Sequence, residues 1–417
     1  MPEILSIFTI VSVILFFGLL AEFIFKKINV PDILLLVGMG FLLGPFGLNF
    51  ISLENIQPFA PIFTTFALLF LMFDGAFDID LASFAKGLVN SLNITVFNFL
   101  VSYFTISGLL ILFGFEFSTS IILGGVLGGI SSAFVIPIIN KIKVSKETYT
   151  TLIFESAFTD ILCILFALTA LEIFTLDTFN LRIIISKVVT TFAVAGIIGI
   201  IAGIIWIALV TKIFKEHKSY MITIAYLLLI YVITEYLNGN GAIAALFFGI
   251  ILKNSKDLKE LYQSILTKEE NNNSKLYNKV SMFTSVTTPT EEFFYHQISF
   301  FLKTFFFVYI GLLIDISNTK LLLVGATIAA SIVLVRRTCS ILTKNLPKFD
   351  REIINSTFGR GLAAAVLAQY VSQFNIPGAP LVSQIATNVI VFSIIFSSIT
   401  VFITIGRSKD INAVNQN

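Results

Sequence analysis

The sequence predicts an all-α membrane protein of about thirteen transmembrane helices, arranged as two inverted repeats. Three observations lead there. The 417 residues are 56% hydrophobic and only 12% charged, about half the charge of a soluble domain. The apolar residues gather in stretches near the roughly 20 residues that cross a bilayer as a helix. Glycine-rich motifs recur seven stretches apart, and an odd offset brings the second copy in from the opposite side of the membrane.

In order, the candidate spans are approximately 4–25, 33–51, 59–77, 88–113, 117–140, 148–172, 183–213, 219–237, 240–253, 293–314, 321–343, 354–374 and 382–406. The first is long enough to span and has no small-residue cleavage pattern, so no removable leader is expected. The second and ninth carry matching motifs, Gly38-Met39-Gly40 through Gly47 and Gly239-Asn240-Gly241 through Gly249. The third and tenth share apolar runs ending at Gly75 and near Gly311. The fifth holds Gly128-Gly129-Ile130-Ser131-Ser132, with Pro137 downstream, and the twelfth holds Gly359-Arg360-Gly361. Glycine and proline inside a span invite a broken helix, and unwound backbone at membrane depth lines cavities. A small-residue packing face is the plainer alternative. The seventh is long enough for a tilted helix. The expected organisation is therefore repeat 1 over 4–172, a connector helix at 183–213, repeat 2 over 219–406, and a short cytoplasmic tail at 408–417.

Charge placement gives an orientation. With the N-terminus outside, 21 Lys and Arg fall on or near inside segments, Lys303 of the tenth span counted with the adjoining loop, and only Arg182, Lys187 and Lys320 on or near outside ones, the asymmetry expected of cytoplasmic loops. The longest connection, Lys253 to Glu292, is then a polar cytoplasmic loop. Asp74, Asp78 and Asp80 read as a solvated helix end on the same side. Cys163 and Cys339 lie in apolar runs and read as buried thiols with no disulfide or metal role.

The sixth span contains Phe154-Glu155-Ser156-Ala157-Phe158-Thr159-Asp160. A carboxylate inside hydrocarbon faces a cavity, is paired, or stays protonated. At about 100° per residue, Glu155 and Asp160 point roughly 140° apart. That suggests one acid turned into the protein and one toward a passage. Burial penalises the charged form of a carboxylate, so Asp160 is suited to hold a proton or a small cation in turn. Ser131, Ser132 and Thr159 offer the oxygen ligands that hard cations prefer. The plainer reading of Asp160 is a structural acid bonded between helices. Arg336, Arg337 and Arg360 also lie within spans, and each needs a carboxylate or a carbonyl cage. Arg337 is the first choice of partner for Glu155. Arg336 is the second, because it can snorkel to the cytoplasmic edge.

These motifs together resemble the monovalent cation/proton antiporter superfamily. Gly-Phe-Leu-Leu-Gly44-Pro45-Phe-Gly47-Leu looks like its second-span signature. Leu-Phe-Leu-Met-Phe-Asp-Gly75 and Phe-Phe-Phe-Val-Tyr-Ile-Gly311 look like its third and tenth. Glu155-Ser-Ala-Phe-Thr159-Asp160 is similar to the Glu-x-x-x-Asn-Asp motif of the sodium/proton exchanger branch. Arg337-Thr-Cys-Ser and Gly359-Arg360-Gly361-Leu-Ala match that branch's arginine motifs. The chain departs from the pattern at Thr159, where the branch has Asn. It departs again at Ser131-Ser132, which replaces a Thr-Asp pair, as in the potassium-efflux branch.

The resemblance implies the sodium/proton antiporter fold with crossed broken helices, a homodimer in the cell membrane, and exchange of Na+ or K+ for H+ by alternating access. It makes Asp160 the ion-binding carboxylate, with Ser131, Ser132 and Thr159 beside it. It pairs Glu155 with an arginine of the eleventh span. It assigns Gly129, Pro137, Gly359, Arg360 and Gly361 to support of the breaks. No cofactor and no nucleic acid are implied. A single aspartate preceded by Thr159, rather than two adjacent aspartates, implies electroneutral exchange. The departures leave sodium and potassium both open.

Three other classes compete, one of them an ion-sensing or scaffold protein that has lost transport, against which the intact Asp160 argues. A symporter or uniporter of an organic anion on the same architecture needs an uncaged basic group, and Arg360 is the candidate. An intramembrane enzyme needs clustered nucleophiles or a metal site, and the spans contain no His-Glu-x-x-His and no Ser–His arrangement.

Overall fold

The computed structural model describes residues 2–28, 32–51, 60–78, 89–142, 144–175, 181–212, 220–255, 288–374 and 376–414, and every regular element among them is helical. Each expected span contains helix. The elements are α1 (Pro2–Ile28), α2 (Asp32–Leu43), α3 (Ala60–Gly75), α4 (Val89–Leu112), α5 (Phe117–Leu127), α6 (Ser132–Lys141), α7 (Lys146–Thr175) and α8 (Leu181–Lys212). After them come α9 (Tyr220–Tyr236), α10 (Gly241–Lys253), α11 (Pro289–Leu312), α12 (Thr319–Thr338), α13 (Lys348–Ser356), α14 (Leu362–Val371) and α15 (Ala379–Val414). The fifth and twelfth expected spans are each split into two helices.

Among the described residues, seven stretches are long and apolar enough to cross a membrane, and one of these, Phe117–Ile136, runs through the first split. Others are shorter. The 12 residues of α2 rise only about 18 Å. That helix stops before Pro45, which has no N–H to continue it and disfavours helical backbone at Gly44.

The chain forms two compact units. The first comprises Met1–Thr65, Val89–Asp177 and Phe301–Asn417. Within it α5 packs on α4 and α7, and α12 and α14 pack on α15. Its core is aliphatic, with Leu123, Val126, Leu127, Leu152, Ala167, Ile328, Val389 and Ile390 all buried. The start of α13 is tied to the start of α7 through Asp350, which accepts from Ser145 N (3.1 Å) and Thr148 Oγ1 (2.9 Å).

The second unit comprises Phe66–Leu88 and Thr178–Phe300. There α8 packs along α10, and Phe70, Phe73, Phe77, Phe248 and Tyr295 form an aromatic cluster. Along α9, Met221, Leu228, Leu229, Val232 and Ile233 are exposed, an apolar face that suits lipid rather than water.

Asp74 corrects the expectation of a solvated helix end. Its carboxylate is 14% exposed. Ser299 Oγ donates to Oδ2 at 2.5 Å, and His296 Nδ1 lies 3.4 Å from Oδ1. Both partners come from α11, and neither could be read from the sequence around Asp74. Asp80 lies outside the described residues.

Candidate functional site

The site is organised by two interruptions in the first unit. Residues 128–131 are unwound between α5 and α6, and residues 357–361 between α13 and α14. Each interruption frees backbone groups that need partners in a water-poor interior. Gly129 N donates to Cys163 Sγ and Ile130 N to Thr159 Oγ1, both at 3.1 Å. On the other side, Phe358 N donates to Ser397 Oγ at 3.1 Å and Arg360 N to Ser393 Oγ at 3.0 Å. The breaks also bond to each other, because Ser131 N donates to Gly359 O at 2.9 Å.

Arg360 is 1% exposed and bridges the same crossing. Its Nη1 donates to Gly129 O and its Nη2 to Ser102 Oγ. Its charge therefore sits against carbonyl oxygen just beyond the negative end of α5. Glycine is required here by close approach. A Cβ on Gly361 would lie 1.8 Å from Ser131 Oγ, and one on Gly129 would lie 2.7 Å from Cys163 Sγ. Pro137, expected among the residues supporting the break, instead lies within α6. Gly129 lets α7 come within contact of the unwound chain, and Gly128 gives room to Phe99 of α4.

Two acids on α7 meet different surroundings. Glu155 is fully buried, and both its oxygens accept from Arg336, through Nη1 and Nη2. Asn98 Nδ2 also donates to Glu155, at 2.9 Å. Arg336 Nε donates to Ile354 O at 2.7 Å, at the negative end of α13. The first choice of Arg337 is thus corrected. Arg337 is exposed, because one residue further along α12 turns the side chain by about 100°.

Asp160 is half-buried, and Ser132 Oγ donates to its Oδ2 at 3.0 Å. Ser132 is the first residue of α6, so the carboxylate stands at the positive end of that helix. The other two expected hydroxyls are placed differently. Thr159 Oγ1 is bonded to the backbone of Ile130, and Ser131 Oγ packs against Gly361. The sequence reading missed Asn98, Ser102, Ser393, Ser397 and the acceptor role of Cys163. Their only local signal is a pair of polar residues four apart on an apolar helix, which shares one face.

Residues 11–406 match the transmembrane sodium/hydrogen exchanger family. The chain belongs to that family. It is 21% identical over 401 residues to the potassium/proton antiporter NhaP of Alkalimonas amylolytica, and 22% identical over 383 residues to NhaP2 of Shewanella oneidensis, also a potassium/proton antiporter. Those alignments cover 93% and 89% of this chain, which spans 64% and 61% of the two relatives' lengths. A probable sodium/proton antiporter of Methanocaldococcus jannaschii is 30% identical over 206 residues, 48% of this chain and 47% of that protein. The fold is shared with the sodium/proton antiporter MjNhaP1 of the same organism, at a TM-score of 0.72 and 18% identity, covering 95% of this chain and 100% of that one. As a family member the chain is a multi-pass membrane protein of a transporter family.

Proposed function

We propose that this chain exchanges a monovalent cation, Na+ or K+, for H+ across the cell membrane by alternating access, with Asp160 as the carrier. One observation carries the reading. Of two acids on one transmembrane helix, Glu155 is neutralised by buried Arg336, whereas Asp160 is half-buried beside Ser132 at the start of α6.

The chemistry follows from charge. A protonated Asp160 and a cation-loaded Asp160 are both neutral, so either form crosses the apolar interior without the penalty of a bare carboxylate. Arrival of one ligand displaces the other, which couples the two fluxes. Both loaded forms carry the same charge, so exchange is electroneutral. Asp160 and Ser132 supply oxygen ligands, with Ser131 in the first break and Thr159, bonded to that break from α7, bordering the shell. The relatives' names favour the substrate class and include both ions.

The same reading includes a homodimer, repeats over 4–172 and 219–406 joined by the connector at 183–213, an external N-terminus and a cytoplasmic C-terminus. The last two rest on the 21-to-3 division of Lys and Arg. The anion-symport alternative needed an uncaged Arg360, and its two terminal nitrogens are instead bonded to Gly129 and Ser102.

The test is cation-induced proton flux in everted vesicles, with NaCl and KCl in separate runs, for wild type and Asp160→Asn. Wild type responds to at least one salt, and Asp160→Asn responds to neither. Equal responses from the two proteins would remove Asp160 from the carrier role.

A further inference from the structure

We infer that Ser393 and Ser397 of α15 are positioning residues for the cation site, acting on it through the second helix break; this rests on Asp160 being the carrier. Both serines are fully buried and lie four residues apart, so they share one face of α15. Each hydroxyl is held at both ends. Ser397 accepts from Phe358 N and donates to Ser356 O at 2.5 Å. Ser393 accepts from Arg360 N and donates to Ile390 O at 2.9 Å.

The two serines therefore fix the amides on either side of Gly359. Both polar links from the second break to the first leave from residues framed in this way. Gly359 O accepts from Ser131 N, and the Arg360 guanidinium donates to Gly129 O. The first break then runs directly into Ser132, whose hydroxyl meets Asp160. An unwound segment has no helical ladder of its own, so its shape is only as definite as these outside partners make it.

The same device appears in the other half of the chain. On α7, Thr159 and Cys163 are four apart and fix the amides of Ile130 and Gly129. In each half the earlier amide of the break meets the later acceptor. In this register Thr159 corresponds to Ser393 and Cys163 to Ser397, and Asp160 corresponds to buried Ile394. The α15 pair thus performs the framing role without an acid beside it.

The experiment measures apparent KM and maximal rate of cation-driven proton flux for full-length protein in proteoliposomes, with Na+ and K+ as probes. Ser393→Ala and Ser397→Ala should each raise KM roughly tenfold, the low end of what removing an outer partner costs a metal site, with maximal rate little changed. Thr404→Val is the control. It lies on the same helix as the two serines and removes a buried bond to Ser356 Oγ of α13, but touches neither amide of the break, and it should keep the wild-type KM. Ser393→Cys, which keeps an amide acceptor but makes it a thiol sulfur of the kind Cys163 offers, should give a KM between wild type and Ser393→Ala.

Wild-type KM in both folded alanine variants overturns the inference, as does an equal rise in Thr404→Val. If Ser393→Ala does not accumulate, Ser393→Cys decides: a raised KM supports the role, and a wild-type KM ends it. Asp160→Asn is run alongside. Exchange surviving in that variant removes the carrier assignment itself, whereas a silent Asp160→Asn with wild-type KM in the serine variants removes this inference alone.

Discussion

The amide of Ser131 donates to the carbonyl of Gly359 across 2.9 Å, so the two interrupted helices are joined main chain to main chain. Such a bond demands that the backbones nearly touch. The lack of a side chain at Gly361, opposite Ser131, is what allows it.

Gly361→Ala should therefore be severe. Its Cβ would sit 1.8 Å from Ser131 Oγ and 2.3 Å from Ser131 Cβ, and overpacking of a close-packed interior costs about 1–3 kcal/mol or more. The variant should melt well below wild type in detergent. Adding Ser131→Gly, which removes both clashing atoms, should recover part of the loss. A Gly361→Ala protein as stable as wild type contradicts the crossing described.

The buried pair of Glu155 and Arg336 leads to a second expectation. Removing one member strands the other charge, at about 3–5 kcal/mol. Glu155→Gln and Arg336→Ala should each lower the melting temperature strongly, while a double replacement by apolar residues of similar volume recovers most of it. Arg337→Ala, at an exposed position, should melt close to wild type. Equal losses for the two arginine variants would remove the assignment of Arg336.

Ser132 and Thr159 should separate by readout. Ser132 bonds to Asp160 itself, so Ser132→Ala should raise the apparent cation KM with modest effect on stability. Thr159→Val strands the Ile130 amide, at about 1–3 kcal/mol, so it should lower the melting temperature clearly, beside any rise in KM transmitted through the break. Thr159→Ser, which keeps the hydroxyl, should behave like wild type. A Thr159→Val protein as stable as wild type, or a large stability loss in Ser132→Ala, contradicts the geometry.

Competition at one carboxylate has a pH signature. A protonated Asp160 cannot accept a cation, so lowering the pH should raise apparent KM while saturating cation restores the rate. The same neutrality predicts no membrane-potential dye response when a cation gradient drives exchange in proteoliposomes. A potential generated by transport would exclude one-for-one exchange.

Much of this was legible in the chain. Hydrophobic stretches of spanning length marked the helices, because a lipid-exposed backbone must satisfy its own hydrogen bonds locally. Glycines marked both interruptions, though not their limits, and Pro137 could not mark where the first one ends, because a proline within α6 looks the same on paper as one that ends a helix. The angular separation of Glu155 and Asp160 is a property of helical period alone.

By itself, then, the sequence determined a helical membrane protein with two broken spans and two acids facing different ways. Those features follow from composition, period and glycine placement, which act over neighbouring residues. Only the tertiary structure decided which arginine meets Glu155, since the rotation of α12 about its axis is set by packing against α4 and α15. It also decided that Thr159 and Cys163 serve one break and Ser393 and Ser397 the other, and that Asp74 meets Ser299. A hydrogen bond between residues far apart in the chain leaves no periodic mark on either segment, so it exists as information only once the helices are packed.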